Sequence, residues 1–252
     1  MHTIAAGITV FVMTLLLAPT VLVAALLGVK EKPGSIYERC MRLWARSMGR
    51  AAGVRVVVHG AQNIRHGAIY MQNHVSWFDI FAVASVVPRF TFVAKAELRK
   101  IPLFGRGAAA AGVIYIDRDN RKSAFESYKV AAAEVQRGRN VVVCPEGTRG
   151  RDYHLRPFKK GPFVLAIAAG APIVPVVVYG ALEVMRKGSI RVRPNVVHVH
   201  FLEPVPTAGY TYEERTKLME IVWQRMADEM RELYGVRTAE HPVARTKERK
   251  GA

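Results

Sequence analysis

Between Ile4 and Val29 the chain carries no charged residue: IAAGITVFVMTLLLAPTVLVAALLGV. Crossing the hydrocarbon core of a bilayer takes roughly 20 apolar residues of helix, so this run is long enough to span. It ties the rest of the molecule to a membrane. A cleaved secretory signal would show a basic leader and an apolar core of about 7–15 residues. Here only Met-His-Thr precedes a longer run, which favours a retained segment. Pro19, inside the run, implies either a kinked helix or one that re-enters the leaflet without crossing.

Lys30, Lys32, Arg39, Arg42, Arg46 and Arg50 follow the apolar run. Basic residues beside a membrane segment place that side in the cytoplasm. Residues 36–50, IYERCMRLWARSMGR, have helical spacing, with Ile36, Cys40, Leu43 and Ser47 on one face and arginines around the other. Tyr37 and Trp44 suit a helix lying on anionic lipid, a reading preferred to an ordinary helix packed on the domain.

The net charge of +17 calls for an acidic partner: nucleic acid, anionic lipid or a phosphorylated substrate. No zinc-ligand spacing, basic zipper or aromatic RNA-binding signature is present, so nucleic acid is set aside. Much of the charge lies just after the apolar run and in the tail RTKERK, and reads as membrane-surface charge and solvated tail. Cys40 and Cys144 have no metal or redox spacing, consistent with a reducing compartment.

Beyond residue 53, short apolar runs alternate with helical stretches. Strands are predicted at 54–59, 68–72, 90–94, 113–116, 140–144, 173–179 and 196–202, and helices at 77–87, 104–111, 121–137, 157–169 and 212–234. The pattern predicts an α/β fold, a mixed and mostly buried sheet flanked by helices, with an N-terminal membrane-associated helical segment. With 252 residues the division is membrane-anchoring helices at 1–52, an α/β domain at 53–237 and a basic tail at 238–252, expected to be disordered.

Four stretches carry the chemistry. In MQNHVSWFDI, His74 and Asp79 would point about 140° apart on one continuous helix. They can meet if a strand ends near Asn73 and a helix begins after Ser76. Ser76 to Asp79 also fits a capping box, which needs the same strand–turn–helix, and the spacing alone does not choose between cap and catalytic pair. The second stretch, VVVCPEGTRG, runs from strand to turn. There Gly147 permits close backbone approach, and Thr148 and Arg149 offer a hydroxyl and a forked guanidinium to a phosphate. Third, Arg118 directly follows a strand; the phosphate-loop and dinucleotide patterns are both missing nearby. Fourth, APIVPVVV is a buried strand in which Pro175 marks a bulge or an edge.

Together and in order, these stretches resemble the glycerolipid acyltransferase family, most closely the 1-acyl-sn-glycerol-3-phosphate acyltransferases. The N-H-x-S-x-x-D block is Asn73 to Asp79, I-D-R is Ile116-Asp117-Arg118, P-E-G-T-R is Pro145 to Arg149, and the proline strand is Ile173 to Val176. The likeness covers roughly residues 55–205. Gly150 departs from it, since many relatives carry serine there, and could loosen the turn.

The resemblance implies transfer of a fatty acyl group from a thioester to the 2-hydroxyl of lysophosphatidic acid, giving phosphatidic acid. Related acceptors (glycerol 3-phosphate, a lysophospholipid, a lyso-ornithine lipid) are the alternative, and a lipid hydrolase a remoter one. It implies His74 as general base and Asp79 as its orienter, with Glu146, Gly147, Thr148, Arg149, Arg118 and Lys95 at the acceptor phosphate. Ser76 lacks a nucleophile elbow and Cys144 reads as core, so no covalent intermediate is expected. No cofactor or metal is implied. The donor would be an acyl-CoA or acyl carrier protein thioester, and the partners lysophosphatidic acid, that donor and an anionic bilayer surface. The expected location is the inner (cell) membrane, with the catalytic domain on the cytoplasmic face. Residues 98–104, LRKIPLF, are the expected rim of an acyl groove.

Overall fold

The computed structural model describes residues 1–117 and 120–238. Arg118 and all but the first residue of the basic tail lie outside them. Seven strands form one sheet: β1 (Val54–His59), β2 (Ile69–Gln72), β3 (Phe90–Lys95), β4 (Ile114–Ile116), β5 (Asn140–Val143), β6 (Ile173–Tyr179) and β7 (Asn195–Phe201). Their order is β1-β7-β6-β2-β5-β3-β4. The run from β6 to β4 is parallel; β7 is antiparallel to β6, and β1 is parallel to β7.

Side chains alternate across this sheet. Tyr70, Val142, Val174, Val176 and Val178 enter one apolar core, while Ile69, Met71, Val141, Val143, Ile173 and Val177 enter the other. The continuous apolar runs of the sequence are therefore strands covered on both faces. The first core is closed by α2 (Ile36–Ala51) and α3 (Trp77–Val86), the second by α5 (Arg121–Gln136), α6 (Gly161–Ala169) and α8 (Arg215–Tyr234).

The helix predicted at 157–169 begins only at Gly161. Arg156 N–H donates to Glu146 and Lys159 N–H to Pro145 O, which holds this segment against the β5 loop. The helix then starts with Pro162 in its first turn, where a missing N–H costs nothing. Pro175 is not at an edge, because β6 pairs on both sides. Its antiparallel ladder to β7 runs to Val176↔Phe201 and resumes at Ile173↔Val205, so two residues face three. This irregularity tolerates a residue without an N–H.

α1 (His2–Leu26) is long and apolar enough to cross a membrane, and Pro19 does not end it. It lies along the domain. Near its start, Thr3 Oγ1 accepts Val192 N–H at 2.9 Å and the His2 ring sits 3.3 Å from Ala51 O. Further on, Ala18 abuts Gly107 of α4 (Phe104–Ala110), and Val21 and Ala24 cluster with Tyr37, Cys40 and Ala111. α2 is likewise packed on the domain, against the preference read from its sequence. Its buried face is Tyr37, Cys40, Ala45 and Met48, and Leu43 is exposed. Arg42 and Arg46 turn inward to the Ser85 and Val87 carbonyls at the end of α3, where cations are favoured.

Candidate active site

β2 ends at Gln72 and α3 begins at Trp77, so His74 and Asp79 meet across the turn. His74 Nδ1 is 3.1 Å from both Asp79 oxygens, and the Asp79 side chain is fully buried. The same carboxylate accepts the N–H of Val75 and of Ser76, each at 2.8 Å, and a longer contact from Gln72 at 3.3 Å. Ser76 Oγ accepts Phe78 N–H, completing a capping box. Cap and histidine orienter are thus one group. With Nδ1–H committed to Asp79, Nε2 keeps its lone pair for another partner.

The β5 loop is fastened to this turn. Gly150 N–H donates to His74 O at 2.7 Å, and Glu146 Oε1 accepts His74 N–H at 2.8 Å. Gly147 has φ +76°, which glycine adopts without strain. The turn at Gly150 is tight: an added Cβ would stand 3.0 Å from Asp152 O.

Of the residues expected at a phosphate, Glu146 is placed otherwise. It is buried, and its two oxygens accept the N–H groups of His74 and Arg156. Burial pushes its carboxyl up to about 7 against those two hydrogen bonds. A carboxyl so committed holds two loops together and offers a phosphate nothing. Gly147, Thr148 and Arg149 line the same cavity as His74. The Arg149 guanidinium lies 4.9 Å over the Trp77 ring, and its buried Nη1 has no hydrogen-bond partner among the described residues. The forked guanidinium, beside the cavity that His74 lines, is suited to donate to an anion there. Lys95 lines the cavity too, exposed and paired with Glu97.

That cavity, of about 410 Å³, is predominantly apolar. It is lined by His74 and Arg149, by Trp77, Phe81 and Phe104, and by Val21, Cys40 and Ala111. Its wall is built jointly by α1, α2, α3, β3 and α4. Leu98 and Phe104 belong to it, at the two ends of the stretch expected to form a rim. Cys144 also lines it, half-buried, and is not a core residue.

Sequence reasoning passed over Trp77 as the platform for Arg149, and Lys187, whose ammonium reaches Arg149 O at 2.8 Å. The indole next to a conserved-looking spacing carries no signal of what will stack on it, and Lys187 stands 38 residues beyond Arg149 in the chain. Ser76 Oγ donates to Met185 O at 2.7 Å, a structural use of the hydroxyl.

Among known proteins, residues 55–179 match the family model described as Acyltransferase. A 1-acyl-sn-glycerol-3-phosphate acyltransferase of Cocos nucifera is 36% identical over 182 residues, covering 71% of this chain and 59% of that protein. That of Limnanthes douglasii is 38% identical over 164 residues, 64% and 58% of the two. The match therefore spans well under two thirds of either plant protein. Human 1-acyl-sn-glycerol-3-phosphate acyltransferase alpha is 33% identical over 199 residues, 77% of this chain and 70% of that one. In three dimensions PlsC, the 1-acyl-sn-glycerophosphate (LPA) acyltransferase of Thermotoga maritima, matches with a TM-score of 0.75 at 24% identity, over 93% of this chain and 97% of that chain. That last likeness is one of fold.

Proposed function

The chain belongs to the acyltransferase family, and from that membership we propose that it transfers a fatty acyl group from a thioester to the 2-hydroxyl of lysophosphatidic acid, forming phosphatidic acid for phospholipid synthesis. One observation carries the reading: an imidazole held by a buried carboxylate lines the same apolar cavity as the Arg149 side chain.

His74 Nε2 takes the proton of the acceptor hydroxyl as its oxygen attacks the thioester carbonyl. A C–O bond forms and the C–S bond breaks; the leaving thiolate receives the proton from the imidazolium. Asp79 fixes the tautomer and stabilises the cation, as the acid of a hydrolytic triad does, with the substrate oxygen in place of serine. Arg149, with Thr148 and the Gly147 turn, holds the acceptor phosphate and so fixes its hydroxyl before the base. The apolar cavity takes an acyl chain away from water.

The substrate's amphiphilic character fits α1. Ile4, Ile8, Phe11 and Leu15 form one stripe on its outer side and are 69%, 59%, 68% and 52% exposed. Because the opposite side is fastened to the domain at both ends, the helix lies along one leaflet of the inner membrane, with the domain at the cytoplasmic face. The donor thioester, on coenzyme A or acyl carrier protein, is acidic and meets a chain of charge +17.

The test is the purified full chain in lipid discs, with a radiolabelled acyl thioester and a panel of acceptors. Lysophosphatidic acid should be acylated in preference to glycerol 3-phosphate and neutral lysolipids. Equal use of a phosphate-free acceptor, or free acid released at the same rate without acceptor, would overturn the proposal.

A further inference from the structure

A second constellation lies two strands beyond the cavity, on the α8 side of the sheet edge. β1 is an edge strand, and its last residue, His59, pairs in register with His200 of β7. His198 stands two residues earlier on the same face. His59 Nε2 is 3.0 Å from His198 Nδ1, and the His59 and His200 rings stack with centroids 4.2 Å apart. One ring nitrogen from each of the three lies within 4.8 Å of the other two. His59 is exposed, His198 half-buried and His200 buried, so the cluster is reached from solvent yet anchored in the sheet.

We infer that His59, His198 and His200 bind a divalent transition-metal ion of the zinc class. Three imidazoles suit a borderline ion and exclude calcium or magnesium, which take oxygen ligands. Zinc–nitrogen bonds of about 2.0–2.1 Å place tetrahedral ligand nitrogens about 3.4 Å apart. The closest pair is already within that separation, and all three nitrogens lie within 4.8 Å of one another, so closing on an ion takes side-chain adjustments of about an ångström. Two of the rings come from one strand, fixed two residues apart by the ladder, so little ordering remains for the ion to impose.

α8 supplies the surroundings. Glu229 Oε1 lies 3.4 Å from His200 Nδ1, in the position of the carboxylate that orients a metal-bound histidine. Tyr234 OH lies 2.6 Å from His200 Nε2 and is the bond the ion exchanges for its own. The fourth position is open to water, since His59 faces solvent. Acyl transfer uses none of these five residues. Bound here, an ion joins the edge strand β1 to β7, and through His200 and its Glu229 contact to α8. Local spacing shows only the His198-Val-His200 pair, because His59 lies 139 residues from His198.

Titration of the untagged full chain with Zn²⁺, by calorimetry in detergent micelles, should give one saturable site. His59→Ala and His198→Ala should each weaken it at least 10-fold, and His74→Ala should leave it unchanged. Co²⁺ should give the intense visible absorption of a four- or five-coordinate nitrogen site, lost in His59→Ala. Melting curves confirm that each variant is folded, and the exposed His59 is the safer of the two. Failure of the wild type to show a saturable site, or His59→Ala binding as tightly as the wild type, would overturn the inference. Acyl transfer assayed in parallel with a chelator reports separately on the reaction.

Discussion

Glu146 accepts the backbone N–H of His74 at 2.8 Å, so two loops 72 residues apart are joined through a buried carboxyl. Gly150 N–H closes the same junction from the other side of the His74 peptide. The histidine backbone is thereby held by the loop that carries Arg149, and base and anion site move as one unit.

This junction is pH-sensitive. Burial raises the Glu146 carboxyl from 4.5 to about 7. Between those values the folded protein keeps a proton that the unfolded chain has released, so stability falls as pH rises through the window. This group contributes at most about 1.4 kcal/mol per pH unit. Glu146→Gln should remove that slope while keeping one acceptor for His74 N–H. Denaturant melts across the window compare the two proteins, and identical slopes would contradict the assignment.

His74→Ala should lower kcat by about 10²–10⁴ while leaving the melting temperature nearly unchanged, because its ring anchors no helix. Asp79→Asn should lower both, since the same carboxylate caps α3, at about 1 kcal/mol for the cap. Wild-type turnover in His74→Ala, with substrate binding intact, would place the base elsewhere.

Arg149→Ala should raise the KM for the lyso-acceptor more than that for the thioester. Arg149→Lys should not restore it, as an ammonium cannot reproduce the planar fork or its stacking over Trp77. Equal effects on both substrates, read from two-substrate kinetics, would remove Arg149 from the phosphate.

Ala111 lines the cavity and clusters with Val21, Tyr37 and Cys40, apart from the core that packs around α3. Ala111→Leu should shift preference toward shorter acyl donors at unchanged rate on the short ones, with overpacking costing about 1–3 kcal/mol of stability. A competition assay with mixed chain lengths decides it; an unchanged profile would mean that the chain ends elsewhere.

Phe11→Asp combined with Leu15→Asp should reduce co-sedimentation with anionic vesicles and leave the melting temperature in detergent unchanged, because both side chains project from the outer side of α1. Undiminished vesicle binding would transfer the attachment to the arginines of α2.

The strand–turn–helix around His74 was legible because Asn73, Ser76 and Asp79 announce it locally, and the covered sheet because its strands are apolar without alternation. The buried face of α2 lies about 100° around the helix from the one its spacing suggests. Periodicity identifies a helix but leaves its rotation open when Cys40, Leu43, Trp44 and Met48 are all apolar; contact with α1 and α3 selects among them. Pro175 reads as a bulge or an edge from its missing donor alone; strand order, a non-local property, excludes the edge and leaves the bulge. Glu146 sits inside a phosphate-binding signature, and only its two backbone partners reveal a tether.

By itself the amino-acid order settled what is written in near neighbours: an apolar N-terminal helix, alternating strands and helices, and a histidine and aspartate that can meet across one turn. The fold decided everything that depends on who lies across from whom: the Arg149–Trp77 stack, the cavity shared by α1 to α4, and the three imidazoles on β1 and β7. The physical reason is range. Backbone geometry and capping act over a few residues, whereas burial and side-chain pairing are set by strand order and helix docking, which no short window encodes.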